Sequence, residues 1–205
     1  MRIFCDTASL AEIEEWAAHP WVSGFTTNPT LLRTQHLGDA MEWARDAVRL
    51  ADKKPISIDG PESVWDLGPN VWRKVCRPVI VPDPETTWKG PINYTAVCHP
   101  AQIVAAGWSF RYNPDDIISV FAGRIMDTGR DPQPVIDAAK QTHAAILWAS
   151  VREPYNIVQA EAAGCDIVTV PPSILRKYLD WHGRPLEAVA EGTIAQFDRD
   201  RDGLW

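Results

Sequence analysis

Short apolar runs return along this chain at intervals that leave room for a helix between them, and that alternation constrains the fold more than any single motif. Arg2–Cys5, Gly24–Thr27, Pro55–Asp59, Ile92–Val97, Ile117–Ala122, Ala145–Ala149 and Ile167–Val170 read as strands, and an eighth belongs in the Val71–Pro82 region. Helical patterns lie between them. Ser9 caps a helix running to Ala18, with Glu12 at the capping-box position. Asp39–Asp52, Pro100–Ala106, Pro132–His143, Glu153–Ala163 and Ser173–Leu179 also read as helices. Strands that alternate with helices are the signature of parallel βα units. Eight such units predict an α/β fold, a single (β/α)8 barrel, with residues 1–205 as one domain. The chain is short for that architecture, which typically takes about 250 residues.

The shortage falls between Asp59 and Asn93, where two βα units must fit. Gly68-Pro69 and the prolines at 78, 82 and 84 punctuate this stretch, so the barrel is expected to be contracted around strands three to five. A last helix, Pro185–Phe197, is expected to pack across the barrel or a neighbouring subunit. The tail from Asp198 to Asp202 alternates acid and base and reads as a solvated, frayed helix end.

Composition removes several function classes. With 45% hydrophobic and 23% charged residues the chain is globular rather than disordered. A net charge of -7, with no basic block to offset it, argues against nucleic acid or an anionic membrane as partner. No apolar run approaches the roughly 20 residues of a membrane span, and no signal peptide opens the chain; the cysteine usage is what leads to the expectation of a cytoplasmic protein. Cys5, Cys76, Cys98 and Cys165 are widely spaced, which favours reduced thiols over disulfides and makes a metal site improbable. The 10 tryptophans read as packing.

Polar residues stand where the apolar runs end, and the carboxyl ends of parallel strands are where an α/β barrel builds its active site. Asp6 closes the first run, and Thr26, Thr27 and Asn28 close the second. Asn93 and Thr95 share the inward face of the fifth by period two, although ordinary strand polarity would also account for them. Ser119 lies within the sixth and Arg124 just past it, and Ser150 and Arg152 follow the seventh. A guanidinium at a barrel mouth can grip a phosphate bidentately. The competing reading pairs these arginines with Asp127, Asp131 or Glu153 at the surface. Asp6, desolvated by an apolar mouth, is a candidate general acid/base; alternatively it caps the helix that starts near Thr7–Ser9. His99, just before a helix, reads more readily as a capping or surface residue than as a proton shuttle, and Lys89 as a loop lysine.

Phe4-Cys5-Asp6-Thr7 followed by Gly24-Phe25-Thr26-Thr27-Asn28-Pro29-Thr30 resembles the opening of the transaldolase and fructose-6-phosphate aldolase family. The likeness continues through Pro91–Val97, Ile118–Ile125 and Leu147–Arg152, and Ser119–Asp131 is close to one bacterial transaldolase branch. It implies a cofactor-free Schiff-base enzyme that transfers a dihydroxyacetone unit between sugar phosphates, homo-oligomeric by analogy. Simple aldol cleavage, or a sugar-phosphate-binding relative without catalysis, are the alternatives. By the same likeness Asp6 moves the proton during carbon–carbon cleavage, and Thr26 and Asn28 position a water or the imine. Arg124, Ser119, Ser150 and Arg152, with Asn93 and Thr95, flank the sugar phosphate. Asp59 stands where the family usually carries glutamate or glutamine, one methylene longer. The imine-forming lysine belongs on strand four, and Asn70-Val71-Trp72-Arg73-Lys74-Val75 nominates Lys74. That register sends Arg73 towards the helix layer, which is costly unless it is paired. The rival register makes 69–75 helical and runs the strand from Arg77 to Pro82, putting Ile80 in place of the lysine.

Overall fold

A computed structural model describes residues 1–35, 38–76, 90–109 and 115–204. Eight parallel strands close into a barrel in chain order: β1 (Arg2–Asp6), β2 (Val22–Thr26), β3 (Ile56–Asp59), β4 (Val71–Val75), β5 (Ile92–Val97), β6 (Ile117–Val120), β7 (Ala145–Trp148) and β8 (Ile167–Val170). β8 pairs back on β1, so no edge is left open. The helices are α1 (Leu10–Ala17), α2 (Pro29–Thr34), α3 (Ala40–Leu50), α4 (Pro100–Ser109), α5 (Ala122–Asp127), α6 (Gln133–Ala139), α7 (Tyr155–Ala162), α8 (Pro172–Trp181) and α9 (Leu186–Arg201). Ser9 caps α1 by accepting from the Glu12 N–H, and Asp39 caps α3 through the Met41 and Glu42 N–H groups. The chain is thus a (β/α)8 barrel.

Strand parity divides the apolar residues into two cores. One face of each strand packs outward against the helices, with Cys5, Phe25, Ile56, Ile58, Val71, Ile92, Tyr94, Ile118, Trp148 and Val168 among its buried members. A smaller cluster fills the barrel itself: Phe4, Ile117, Leu147, Ala149 and Ile167, with Trp72 and Ala145 against it. Gly24 makes that filling possible. A Cβ there would come within 2.6 Å of the Phe4 ring, so β2 yields its inward position to the phenylalanine of β1. Burying a ring of that size contributes roughly 1.5–3 kcal/mol.

Alternate strands supply successive inward tiers, the usual construction of such a barrel. Gly24, Trp72, Ile117 and Ile167 come from even strands, and Phe4, Ser57, Asn93 and Leu147 from odd strands above them. Thr26, Lys74, Ser119 and Thr169 form the next tier, and Asp6, Asp59, Thr95 and Ala149 lie nearest the mouth. Apolar residues therefore seal one end, and polar ones accumulate towards the carboxyl ends of the strands.

Strand four runs Val71–Val75, so the reading that made 69–75 helical is overturned; Ile80 and Lys89 lie outside the described residues. The cost anticipated for Arg73 is met by partners. Its Nε donates to the Gly60 carbonyl at 2.9 Å, its guanidinium lies over the Trp65 ring, and Glu62 sits 3.9 Å away. The contraction after β3 is explained too, because a single 3-10 turn, Glu62–Leu67, replaces a full helix before β4.

Other boundaries move. β6 ends at Val120 rather than Ala122, because Ala122 already opens α5. α6 stops at Ala139, where Lys140 ends the helical bonding. α9 extends to Arg201 and carries no buried residue, so it does not pack across this barrel as expected. Leu186, Ile194 and Phe197 stay exposed on it. Among the described residues no helix is long and apolar enough to cross a membrane. Cys5 and Cys165 are buried free thiols, and burial pushes the Cys165 thiol up to about 12.

Candidate active site

The Lys74 side chain enters the barrel and is 8% exposed. Its Nζ donates to the Thr27 carbonyl at 2.5 Å. In the strand register it stands beside Asp59 on one side and Asn93 on the other. Burial lowers the Lys74 pKa from the usual lysine range, while Asp6 and Asp59 pull it back up. The carboxylates respond in the opposite sense. Burial raises Asp6, with Lys74 and the Thr26 hydroxyl opposing the rise, and burial raises Asp59, with Lys74 and Arg73 opposing it. An amine driven towards neutrality beside two carboxyls that hold protons more tightly than usual is suited to nucleophilic attack on a carbonyl with proton transfer alongside.

Two hydrogen-bonded chains line the interior below the mouth. Thr26 Oγ1 donates to Asp6 Oδ1 at 2.7 Å and lies 2.6 Å from Thr169 Oγ1. On the other side Ser119 Oγ donates to Asn93 Oδ1 at 2.7 Å, and Asn93 Nδ2 donates to Ser57 Oγ at 3.1 Å. Thr95 is 6% exposed, and its buried hydroxyl has no hydrogen-bond partner among the described residues. An unpaired buried hydroxyl costs about 1–3 kcal/mol, which a bound polar group would recover.

Asn28 works locally. As N-cap of α2 it accepts from the Leu31 N–H at 3.0 Å, so its carboxamide oxygen is committed and its NH2 group remains for other contacts. Asp6 does not cap α1, a task that falls to Ser9. His99 behaves as a capping residue, its Nδ1 accepting from the Ala101 N–H at 3.1 Å.

The basic residues gather where β6 and β7 end. A Cβ on Gly123 would fall 1.7 Å from the Ser150 carbonyl oxygen, so only glycine lets the start of α5 touch the end of β7. Ser150 takes φ 63°, a left-handed conformation that turns the chain outward beyond β7. The buried Asn156 fixes the next turn, its Oδ1 accepting from the Arg152 N–H at 2.8 Å and the Glu153 N–H at 3.2 Å. Arg124 is exposed, its guanidinium 5.3 Å from the Phe121 ring centre. Arg152 pairs with Asp127 at 2.9 Å, both side chains about half exposed. The surface pairing foreseen for the arginines thus occurs at one of them. Exposed pairs of this kind contribute about 0.2–1 kcal/mol, so an incoming phosphate could displace Asp127.

Thr169, Ser57 and the Thr27 carbonyl belong to this interior without having been singled out from sequence. Thr169 and Ser57 carried a usable signal, each being a lone hydroxyl at an inward position of an otherwise apolar run, Ile-Val-Thr-Val and Ile-Ser-Ile. Thr27 accepts from Lys74 through its backbone carbonyl, which sequence does not mark.

Residues 89–202 match the family described as Transaldolase/Fructose-6-phosphate aldolase. A probable transaldolase of Nitrosopumilus maritimus is 31% identical, the match covering 87% of each chain. One from Thermoplasma volcanium is 30% identical over 86% of each. The fold is also similar to that of a thiamine phosphate pyrophosphorylase from Pyrococcus furiosus, with a TM-score of 0.55, 10% identity and coverage of 83% of this chain and 85% of that one. With the match to more than half of the chain and these relatives along most of it, the chain belongs to the transaldolase/fructose-6-phosphate aldolase family.

Proposed function

We propose that this aldolase-type barrel is a Schiff-base transaldolase moving a dihydroxyacetone unit between sugar phosphates. The observation that carries the reading is the Lys74 amine, buried inside the barrel between Asp6 and Asp59 and lowered in pKa by that burial. Neutral Lys74 attacks the ketose carbonyl, and loss of water gives the imine. Asp6 takes the proton from the C4 hydroxyl as the C3–C4 bond breaks, and an aldose phosphate leaves. The carbanion held as the imine conjugate then attacks a second aldose, and hydrolysis frees Lys74. Asn93, Ser119 and Thr95 face the bound sugar from β5 and β6, with the unpaired Thr95 hydroxyl supporting a substrate contact. Arg124, Ser150 and Arg152 hold the phosphate, Arg152 exchanging Asp127 for it. Thr26 orients Asp6, and Asn28 offers its NH2 at the mouth. Asp59, one strand from Lys74, acts on the proton and water steps, and its handling of water separates transfer from plain cleavage.

Borohydride reduction in the presence of fructose 6-phosphate, followed by peptide mapping, tests this. A reduced adduct on Lys74 is expected, together with transfer to an added aldose phosphate. Cleavage without transfer would move the assignment to a simple aldolase. Absence of any adduct, with sugar phosphate still protecting the fold against heat, would leave a binding protein.

A further inference from the structure

Thr169 sits on β8, 4% exposed, in a strand whose other residues, Ile167, Val168 and Val170, are all apolar. Valine would fill the same volume and suit the strand as well. It would also avoid the desolvation that a buried hydroxyl brings. The hydroxyl therefore needs a use, and among the described residues the geometry gives it one partner, Thr26 Oγ1 at 2.6 Å. Thr26 has a single hydroxyl proton, and it is directed to Asp6 Oδ1 at 2.7 Å. With that proton committed, Thr26 can only accept from Thr169. The bonds run in one direction, Thr169 to Thr26 to Asp6, across β8, β2 and β1.

We propose that Thr169 is a positioning residue for the reaction, orienting the Thr26 hydroxyl towards Asp6 and so holding the Asp6 carboxylate ready to accept a proton. Hydrogen bonds in such a chain polarise one another, strengthening each by about 10–30%. Without Thr169 the Thr26 hydroxyl loses its donor and is released to rotate. Asp6 Oδ1 then loses its oriented donor, leaving Oδ2 without a fixed direction for proton transfer. Among the described residues the charged groups around Asp6 are few. Lys74 faces it from β4, and Asp59 from β3 shares Lys74 with it. Its hydrogen bond from β2 comes from the neutral Thr26 hydroxyl, which in turn meets the neutral Thr169 hydroxyl of β8. The inference rests on the proton-transfer role given to Asp6 above.

The test compares wild type with Thr169→Val and Thr169→Ser by two readouts, after thermal melts show that each is folded. The Asp6 carboxyl is titrated by carbon NMR, its signal identified by its loss in Asp6→Asn. The pH profile of kcat/KM is then measured with fructose 6-phosphate. In Thr169→Val, Asp6 is expected to titrate at higher pH, because a donor to its ionised form has been weakened. The acid limb of the profile should shift the same way. A roughly threefold to tenfold fall in kcat/KM at neutral pH should appear in kcat rather than KM. Thr169→Ser should restore both readouts. Superimposable titrations in Thr169→Val and wild type, or a serine variant that behaves like the valine one, overturn the proposal. Should Thr169→Val not fold, Thr169→Ala carries the same comparison. If wild type proves inactive, the transaldolase reading falls, and the Asp6 titration still decides on the relay by itself.

Discussion

Lys74, Asp6 and Asp59 set one another's charge, and two substitutions expose the balance. Burial raises both carboxyls, and Lys74 opposes the rise most, ahead of the Thr26 hydroxyl at Asp6 and Arg73 at Asp59. Lys74→Met removes the larger opposing influence, so both should hold their protons to still higher pH in the folded state. A carboxyl whose folded pKa lies above its unfolded value gives stability that is present at low pH and lost as pH rises through the folded pKa. Urea denaturation of Lys74→Met at a series of pH values should therefore show a steeper loss, from the ordinary carboxylate range upward, than wild type. Parallel curves would mean that the three groups are not coupled. Thr95→Val separates stability from activity. It replaces an unpaired buried hydroxyl by a methyl and should raise stability by about 1 kcal/mol while turnover falls. A thermal melt read beside the transfer rate checks both signs. Much of this site was legible in the residues themselves, since Asp6 and Thr26 end apolar runs and Asn93, Thr95 and Ser119 interrupt others with polar groups. Lys74 was nominated by its motif, but Arg73 beside it made that register look expensive until Gly60, Glu62 and Trp65 were in place around it.

Elements carry the strain that shapes the mouth. Ala96 takes φ 62° at the register irregularity between Tyr94 and Val97, a left-handed residue inside a strand. An alanine in that conformation costs about 1–2 kcal/mol relative to a relaxed one. Ala96→Gly should thus gain up to about 1 kcal/mol in urea melts, part of the relief being offset by backbone entropy. Gly123→Ala should do the reverse. Its Cβ would fall 1.7 Å from the Ser150 carbonyl oxygen, so the start of α5 and the end of β7 would be driven apart. A loss of about 3 kcal/mol or more is expected, and equilibrium binding of inorganic phosphate should weaken with it. An unchanged melt for Gly123→Ala would show that this junction is looser than its geometry. The strands were readable as elements because apolar runs with period-two polar residues mark them. The short α2 and α5 were not, since each begins directly at a strand end with too few residues for a helical period to emerge.

At the scale of the whole molecule the barrel and α9 are energetically separate. α9 has no buried residue, and helices of its length are marginal in water without tertiary packing. Deleting 186–205 should leave the barrel's melting temperature within about 3 °C of the intact chain. A fall of tens of degrees would mean that Leu186, Ile194 and Phe197 are covered in solution by a surface beyond this chain. The barrel itself followed from sequence because eight apolar runs alternating with helical patterns admit few other closed arrangements, and parallel strands must bury both faces. The polar strand ends likewise announced which rim would carry chemistry. Tertiary structure alone decided which lysine enters the barrel, which hydroxyls meet, and which charges Asp6 and Asp59 feel. Each depends on register and on the stagger of neighbouring strands. Thr26 and Thr169, 143 positions apart in the chain, share a hydrogen bond only because closure brings β8 back to β1.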